Sequence, residues 1–373
     1  MRKPQHNPPD LLSGTHMTHC SHFGLCGGCA VDERADIDKS ALLADALARA
    51  GYADAPIAPL QEVALHTRRR VDLAVTRKAG EITVGLHKAR SPDVVDMREC
   101  TLLRPGILAL LPQLRILLRS LQALRSAGDV VINALDDGLD ILLRLDAAFT
   151  GPDRTKIIAF ARTHALPRIS IATGTEAPEP VVILAPPVIT FSGKPVEPPP
   201  GAFLQPSREG EAAIIAAMLA GLPKLTAKSR IVELFAGVGT LSFALAQHAR
   251  VEAYEGDAAA AAALEKALRA NSLAGRINIA QRDLHRRPLQ PAELTGRAAV
   301  VLDPPFAGAS TQIRFIVQSK IPRVLYISCN PDALASDAAQ LHRAGYKLLS
   351  ATPIDQFPYS ENVEGVVIFA QSK

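Results

Sequence analysis

Residues 230–242 read R-I-V-E-L-F-A-G-V-G-T-L-S, an apolar run that breaks at Gly237 and Gly239 and resumes in small and apolar residues. A short apolar run closed by glycine predicts a buried strand. The glycines let the chain turn tightly and let a ligand approach the backbone before the next helix. The same pattern recurs downstream: VEAYE (251–255), INIAQ (277–281), AAVVLD (298–303), RVLYIS (323–328), KLLSATPI (347–354) and GVVIFA (365–370) alternate with helical stretches. With RIVELF (230–235) these make seven strands, so the C-terminal half is expected to be α/β, a mostly parallel sheet covered on both faces. Ligands bind such sheets outside the carboxyl ends of the strands.

Those ends carry glycine or acid four times in succession: Gly237 and Gly239, then Glu255, then Asp283, then Asp303 in D-P-P-F. Glu255 suits the two hydroxyls of a ribose, and Asp283 suits an adenine amino group. A third glycine is missing, which disfavours a pyrophosphate dinucleotide. S-adenosylmethionine, with a ribose, an adenine and a sulfonium but no phosphate, fits better. The fifth strand delivers Cys329, and Asn330-Pro331 after it predicts the cap and first turn of a helix. A thiol beside a helix N-terminus is expected to have a lowered pKa and to act as a thiolate nucleophile. Attack by a thiolate on C6 of a pyrimidine makes C5 an enolate carbon able to take a methyl group. A base must then remove the C5 proton. Glu364, in F-P-Y-S-E-N-V-E-G, is the candidate and Glu361 its neighbouring rival.

Upstream of the Pro-rich boundary KPVEPPPGAF (194–203) the pattern is different. Residues 1–19 are polar and expected to be a flexible tail, and 35–50 predict an amphipathic helix. Residues 71–88 and 129–145 predict hairpins around Ala79-Gly80 and Asp137-Gly138. The expected division is therefore a tail at 1–19, a β-rich α+β domain at 20–200 and the α/β domain at 201–373. Cys20, Cys26 and Cys29 form C-x5-C-x2-C, and Cys100 is the only other cysteine besides Cys329. Four thiolates bind either tetrahedral zinc or an iron–sulfur cluster, and spacing does not decide between them.

The net charge of +4 is small, but His66, Arg68, Arg69, Arg70, Arg77, Lys78, His87, Lys88 and Arg90 crowd together, as a phosphate backbone would require. With aromatics at 4% and no Trp, a broad base-stacking surface is not expected. Neither a run long enough to span a membrane nor the apolar core of a secretion signal is found, which points to a cytoplasmic protein without a membrane partner.

Taken together, these motifs resemble the bacterial uracil-C5 RNA methyltransferases, especially the 23S ribosomal RNA members that carry a [4Fe–4S] cluster. The likeness runs over nearly all the chain from Cys20: the cysteine spacing, R-R-R (68–70), F-L-Q (203–205), E-L-F-A-G-V-G-T (233–240), D-P-P-x-A-G-A (303–309), S-C-N-P (328–331) and F-P-x-S-x-x-V-E (357–364). The resemblance implies a seven-stranded, Rossmann-like class I methyltransferase domain. It further implies S-adenosylmethionine bound by Gln205, Phe235, Thr240, Glu255, Asp283 and Asp303 around Gly237 and Gly239. Cys329 would be the nucleophile, Glu364 the base, and Cys20, Cys26, Cys29 and Cys100 the cluster ligands. The implied partner is RNA, foremost 23S rRNA, met by a monomer of the shorter type that lacks an N-terminal β-barrel. Two departures stand out. Phe306 occupies the place of a family Arg, and Asn362 that of a His; Phe306 with Arg68, Arg69 and Arg70 is expected on the RNA side. Two rival expectations are an amino-methyltransferase that uses D-P-P-F to hold an exocyclic amine, and an RNA-binding protein that has lost catalysis.

Overall fold

The computed structural model describes residues 20–31 and 34–371, so the tail expected at 1–19 lies outside the described residues. The seven expected C-terminal strands form one sheet. Its order runs Tyr346–Asp355, Glu364–Gln371, Arg323–Ser328, Ala299–Leu302, Arg230–Leu234, Arg250–Glu255, Ile277–Gln281. The short segment Gln61–Glu62 adds an eighth strand, parallel to Tyr346–Asp355, that the sequence did not announce. Ala299–Leu302 is buried at every position, as expected of a central parallel strand covered on both faces. Strand order reverses at Arg230–Leu234, whose neighbours are Arg250–Glu255 and Ala299–Leu302, and this switch opens a crevice beyond their carboxyl ends.

Glu364–Gln371 runs antiparallel between Arg323–Ser328 and Tyr346–Asp355. Its register sets Ser328 opposite Gly365. The carboxyl end of one strand therefore meets the amino end of the other, and Cys329 and Glu364 become neighbours at one end of two interior strands although 34 residues of chain separate them in sequence.

The N-terminal part builds a six-stranded sheet in the order Glu81–Gly85, Arg70–Lys78, Ala127–Ala134, Leu139–Leu145, Arg168–Thr173, Glu179–Ile183. Both expected hairpins are present. The first turns through Ala79 (φ 50°) and Gly80 (φ 86°), the two left-handed residues that a tight two-residue hairpin demands. Helix Gly151–Thr163 carries the chain across to the one parallel pair, Leu139–Leu145 with Arg168–Thr173.

A single cut near residue 200 does not separate the two cores. The helix expected over 35–50 is Lys39–Arg49, capped by the Asp38 side chain on the Ala41 N–H at 2.9 Å. Its Leu43 and Leu47 pack with Tyr346, Val367 and Phe369 of the C-terminal sheet. Ile189, Phe191 and Val196, from the small hairpin whose second strand opens the Pro-rich stretch, enter the same half of the molecule. An amphipathic pattern shows that a face is buried, but the partner that covers it is chosen in three dimensions.

Candidate active site

The turn after Arg230–Leu234 places three left-handed residues within five positions: Phe235 (φ 63°), Gly237 (φ 55°) and Gly239 (φ 97°). A side chain at Gly239 would strike Leu264 and Phe243, at 2.6 and 2.9 Å, whereas one at Gly237 would meet nothing within 4 Å. Gly239 thus permits helix packing, and Gly237 faces open space. Glu255 lies across the opening with both carboxylate oxygens held by backbone donors, Gly237 N–H and Asp257 N–H, each at 2.7 Å. Asp283 is half-buried and accepts from the His285 and Arg286 N–H groups, which hold its carboxyl below the usual range. Gly256 approaches it closely enough that a Cβ there would lie 3.5 Å from the Asp283 backbone. Thr240 is half-buried on the same turn, and Phe235 packs its ring 5.8 Å from that of His285.

Deeper in the crevice, Gln205, Gln356, Glu364 and Asp303 form one hydrogen-bonded chain. Gln205 Nε2 donates to Asp303 Oδ2 (3.0 Å), and Gln356 Nε2 donates to both Gln205 Oε1 (3.0 Å) and Glu364 Oε2 (2.7 Å). Burial drives the Asp303 carboxyl up to about 7, against the pull of Gln205. Burial, then the neighbouring Asp303, drives Glu364 well above the carboxylate range, while Gln356 draws it back. Glu233, also buried, is pushed up to about 8 by burial despite a hydrogen bond from the Ser242 hydroxyl. Among the described residues no Lys or Arg forms an ion pair with Glu233, Asp303 or Glu364. Glu361, the rival base, is exposed, whereas Glu364 is buried.

Cys329 departs from expectation in one respect. Asn330 does cap helix Pro331–Arg343, but its side chain accepts from the Asp332 and Ala333 N–H groups itself. Those helix-end donors are therefore spent on the cap and not on the sulfur. Burial, then Glu364 and Asp303, push the thiol up to about 12 rather than down. The surroundings of Cys329 thus favour the protonated sulfur, the opposite of what a helix N-terminus alone would do.

Of the three arginines expected to face RNA, Arg69 does not reach the surface. It is fully buried, donates from Nε to the Gln205 carbonyl at 2.9 Å and pairs through Nη2 with Glu211 at 2.5 Å, so it anchors the segment that presents Gln205. Arg70 lies over the Phe203 ring at 5.5 Å, and Arg68 lines the cysteine cavity. The basic cluster is partly structural elsewhere too: Arg77 donates to the carbonyls of Leu118, Arg119 and Leu121 at a helix end. Phe306 is 63% exposed, and its carbonyl accepts from Asn330 Nδ2 at 2.8 Å, which ties the D-P-P-F loop to the residue after Cys329.

The sequence did not single out Gln356, Glu233 or Lys39. Glu233 did carry a signal, a charge inside an otherwise apolar strand. Lys39 carried none: it is buried, and its ammonium donates to the carbonyls of Phe357, Ser360 and Asn362 and pairs with Asp355, which Arg34 also holds. One N-terminal lysine thus gathers the loop that leads into Glu364.

Cys20, Cys26, Cys29 and Cys100 line a cavity of about 770 Å3, together with Arg68, His87 and Tyr359. Their mutual influence is direct. Burial first, then Cys100, Cys26 and Cys20, push Cys29 up to about 12, and burial, with a smaller contribution from Cys100, raises Cys20 and Cys26. Cys20 Sγ lies 3.3 Å from His22 Nδ1 and Gly28 N–H faces Cys26 Sγ at 3.4 Å. The ligand atoms that cluster within 4.8 Å of one another are those of Cys20, His22 and Glu99. The segment is joined to the loop that leads into Glu364, since the Ala30 and Val31 N–H groups both donate to the Tyr359 carbonyl, at 2.6 and 3.2 Å.

Residues 197–372 match the family model for tRNA (uracil-5-)-methyltransferase. Over 364 residues the chain is 36% identical to a protein of Brucella suis named an uncharacterized RNA methyltransferase, covering 95% of this chain and 84% of that one. It is 30% identical over 358 residues to the 23S rRNA (uracil(1939)-C(5))-methyltransferase RlmD of an Enterobacter species, covering 94% of this chain and 81% of the relative. The Pyrococcus abyssi tRNA (uracil-54, C5)-methyltransferase, solved with S-adenosyl-L-homocysteine, superposes with a TM-score of 0.71 at 16% identity, over 92% of this chain and 85% of that one. Among the described residues no helix is long and apolar enough to cross a membrane.

Proposed function

This chain belongs to the RNA uracil-5-methyltransferase family, enzymes dependent on S-adenosylmethionine, and from that premise we propose that it methylates C5 of a uridine in 23S rRNA through a covalent bond between Cys329 Sγ and C6, with Glu364 as the base. The observation that carries this reading is the antiparallel register Ser328 to Gly365, which brings a thiol and a buried carboxyl from two strand ends into each other's field. A carboxylate takes the Cys329 proton as sulfur bonds to C6. The electron pair released onto C5 would bond to the methyl carbon as the methyl–sulfonium bond breaks, its pair staying on the sulfur of the departing S-adenosylhomocysteine. Glu364 then removes the C5 proton, the C5–C6 double bond re-forms and the sulfur leaves with its electron pair.

S-adenosylmethionine supplies an electrophilic methyl group and a positive charge. The crevice suits it: Glu255 is pre-oriented by two N–H groups, the space above Gly237 is open, and carboxyls that no Lys or Arg among the described residues pairs favour a cationic guest. Phe235, Thr240, Asp283, Gln205 and Asp303 complete the proposed contacts.

Cys20, Cys26, Cys29 and Cys100 are assigned to a [4Fe–4S] cluster. Four thiols lining one cavity suit either tetrahedral zinc or an iron–sulfur cluster, and the resemblance to the cluster-bearing members of the family favours the latter. Its role would be to brace the loop through Tyr359, because methyl transfer from a sulfonium requires no electrons. Arg68 and Arg70, with exposed Phe306, are assigned to the RNA side, and the likeness to the Enterobacter enzyme supports ribosomal RNA as the substrate.

Replacement of Cys329 by Ala is expected to abolish methyl transfer to ribosomal RNA while S-adenosylmethionine still binds by calorimetry. An active Cys329→Ala enzyme would overturn the C5 mechanism and return D-P-P-F to the amine reading. Mapping 5-methyluridine in ribosomal and transfer RNA from cells without the gene tests the substrate.

A further inference from the structure

Gln356 contacts Glu364 from inside the protein, and nothing in the sequence motifs gave it a role. We propose that Gln356 is a positioning residue whose single amide nitrogen aligns Glu364 for proton removal and fixes the orientation of the Gln205 amide. The proposal rests on the reading of Glu364 as the base.

Three observations support it. First, Gln356 Nε2 spends both of its hydrogens inside the site, one on Glu364 Oε2 at 2.7 Å and one on Gln205 Oε1 at 3.0 Å. Because Gln205 Oε1 accepts there, its own Nε2 must point to Asp303, as it does at 3.0 Å. Removing Gln356 would free the Gln205 amide to flip. Second, Gln356 is 3% exposed and its Oε1 has no hydrogen-bond partner among the described residues. A buried acceptor left unpaired is costly, so this side chain is not there to satisfy its own polar atoms. Third, room for it is made by Gly210 in the first turn of helix Arg208–Ala220. A Cβ at position 210 would lie 2.5 Å from Gln356 Oε1. In a helix alanine is ordinarily preferred over glycine, and here the space is given to the far end of Gln356.

Mechanistically, the amide donor favours the ionised form of Glu364 and opposes the effect of burial. The step affected is the last one, in which Glu364 accepts the C5 proton, the C5–H pair becomes the C5–C6 double bond and the Sγ–C6 pair returns to sulfur. Bond formation between Cys329 and C6, and methyl transfer, precede it.

The test uses Gln356→Leu, which removes the donor, and Gly210→Ala, which displaces the amide end without deleting it. Unmethylated ribosomal RNA is the substrate, with S-adenosylmethionine labelled in its methyl group. Both variants are expected to turn over roughly 10- to 100-fold more slowly and to accumulate a labelled protein–RNA adduct that survives denaturing electrophoresis. The acid limb of the rate profile should move up by about one pH unit. Parental turnover with no adduct and an unchanged pH profile in both variants overturns the proposal. Loss of turnover without any adduct also overturns it, since the defect would then precede the base. Glu364→Gln separates this from the parent reading: if that variant releases methylated RNA at the normal rate, Glu364 is not the base, whatever Gln356 does.

Discussion

Replacement of Lys39 by Met tests whether an N-terminal residue holds the catalytic loop. The ammonium is 2% exposed and supplies donors to three loop carbonyls, those of Phe357, Ser360 and Asn362, while lying 3.4 Å from Asp355 Oδ1. Removing one member of a buried ion pair costs about 3–5 kcal/mol. Two features lower the figure. Asp355 keeps Arg34, whose Nε sits 2.5 Å from Oδ2, and Asn362 is exposed, so its carbonyl can turn to water. Methionine also refills most of the lysine stem. A loss of about 3 kcal/mol is expected, or about 6–12 °C in melting temperature at 2–4 °C per kcal/mol. Thermal unfolding by circular dichroism reads the first quantity. Methyl transfer and calorimetric S-adenosylmethionine binding read the second consequence: turnover should fall more than tenfold while cofactor affinity changes little, because the crevice at Gly237 and Glu255 belongs to other strands. A variant that melts within about 2 °C of the parent and keeps full turnover would refute the clamp.

Glu233→Gln should flatten part of the pH dependence of stability. The folded carboxyl titrates at about 8 and the unfolded one near 4.5, so the native state holds the extra proton between those values. Stability therefore falls as pH rises through that window, and the loss is complete above about 8. Relative to the parent, the variant should gain on the order of 2–4 kcal/mol between pH 5 and pH 8.5 by denaturant titration; equal slopes would refute the assignment. Protein purified without oxygen should be brown, absorb broadly in the visible blue and contain about four irons per chain, with the colour lost in Cys100→Ser. Colourless protein with stoichiometric zinc would refute the cluster.

Much of the fold was legible because its signals are local. Each parallel strand is a short apolar run, each turn carries its own glycine, and the hairpin at Ala79-Gly80 bears its backbone requirement in its residues. Glu255 and Cys329 could be named as candidates because ligands meet such a sheet at the carboxyl ends of its strands, whereas Glu364, at the amino end of its strand, was named on the resemblance. Gln356 and Lys39 could not, since each acts on groups that the chain brings near only after folding: Lys39 meets the loop more than 300 residues later. Arg69 misled for the complementary reason, as charge in sequence does not tell a surface stripe from a buried anchor.

What the sequence alone determined is the inventory: an α/β sheet with acids and glycines at its carboxyl ends, one cysteine set apart from four others, and a resemblance that its relatives bear out. Tertiary structure decided what those groups do to one another. Asn330 keeps the helix-end donors for itself, and burial, then the buried Glu364 and half-buried Asp303 carboxyls, push the Cys329 thiol up instead of down. A pKa depends on solvent exclusion and on charges within a few ångströms, and neither is a property of the order of residues.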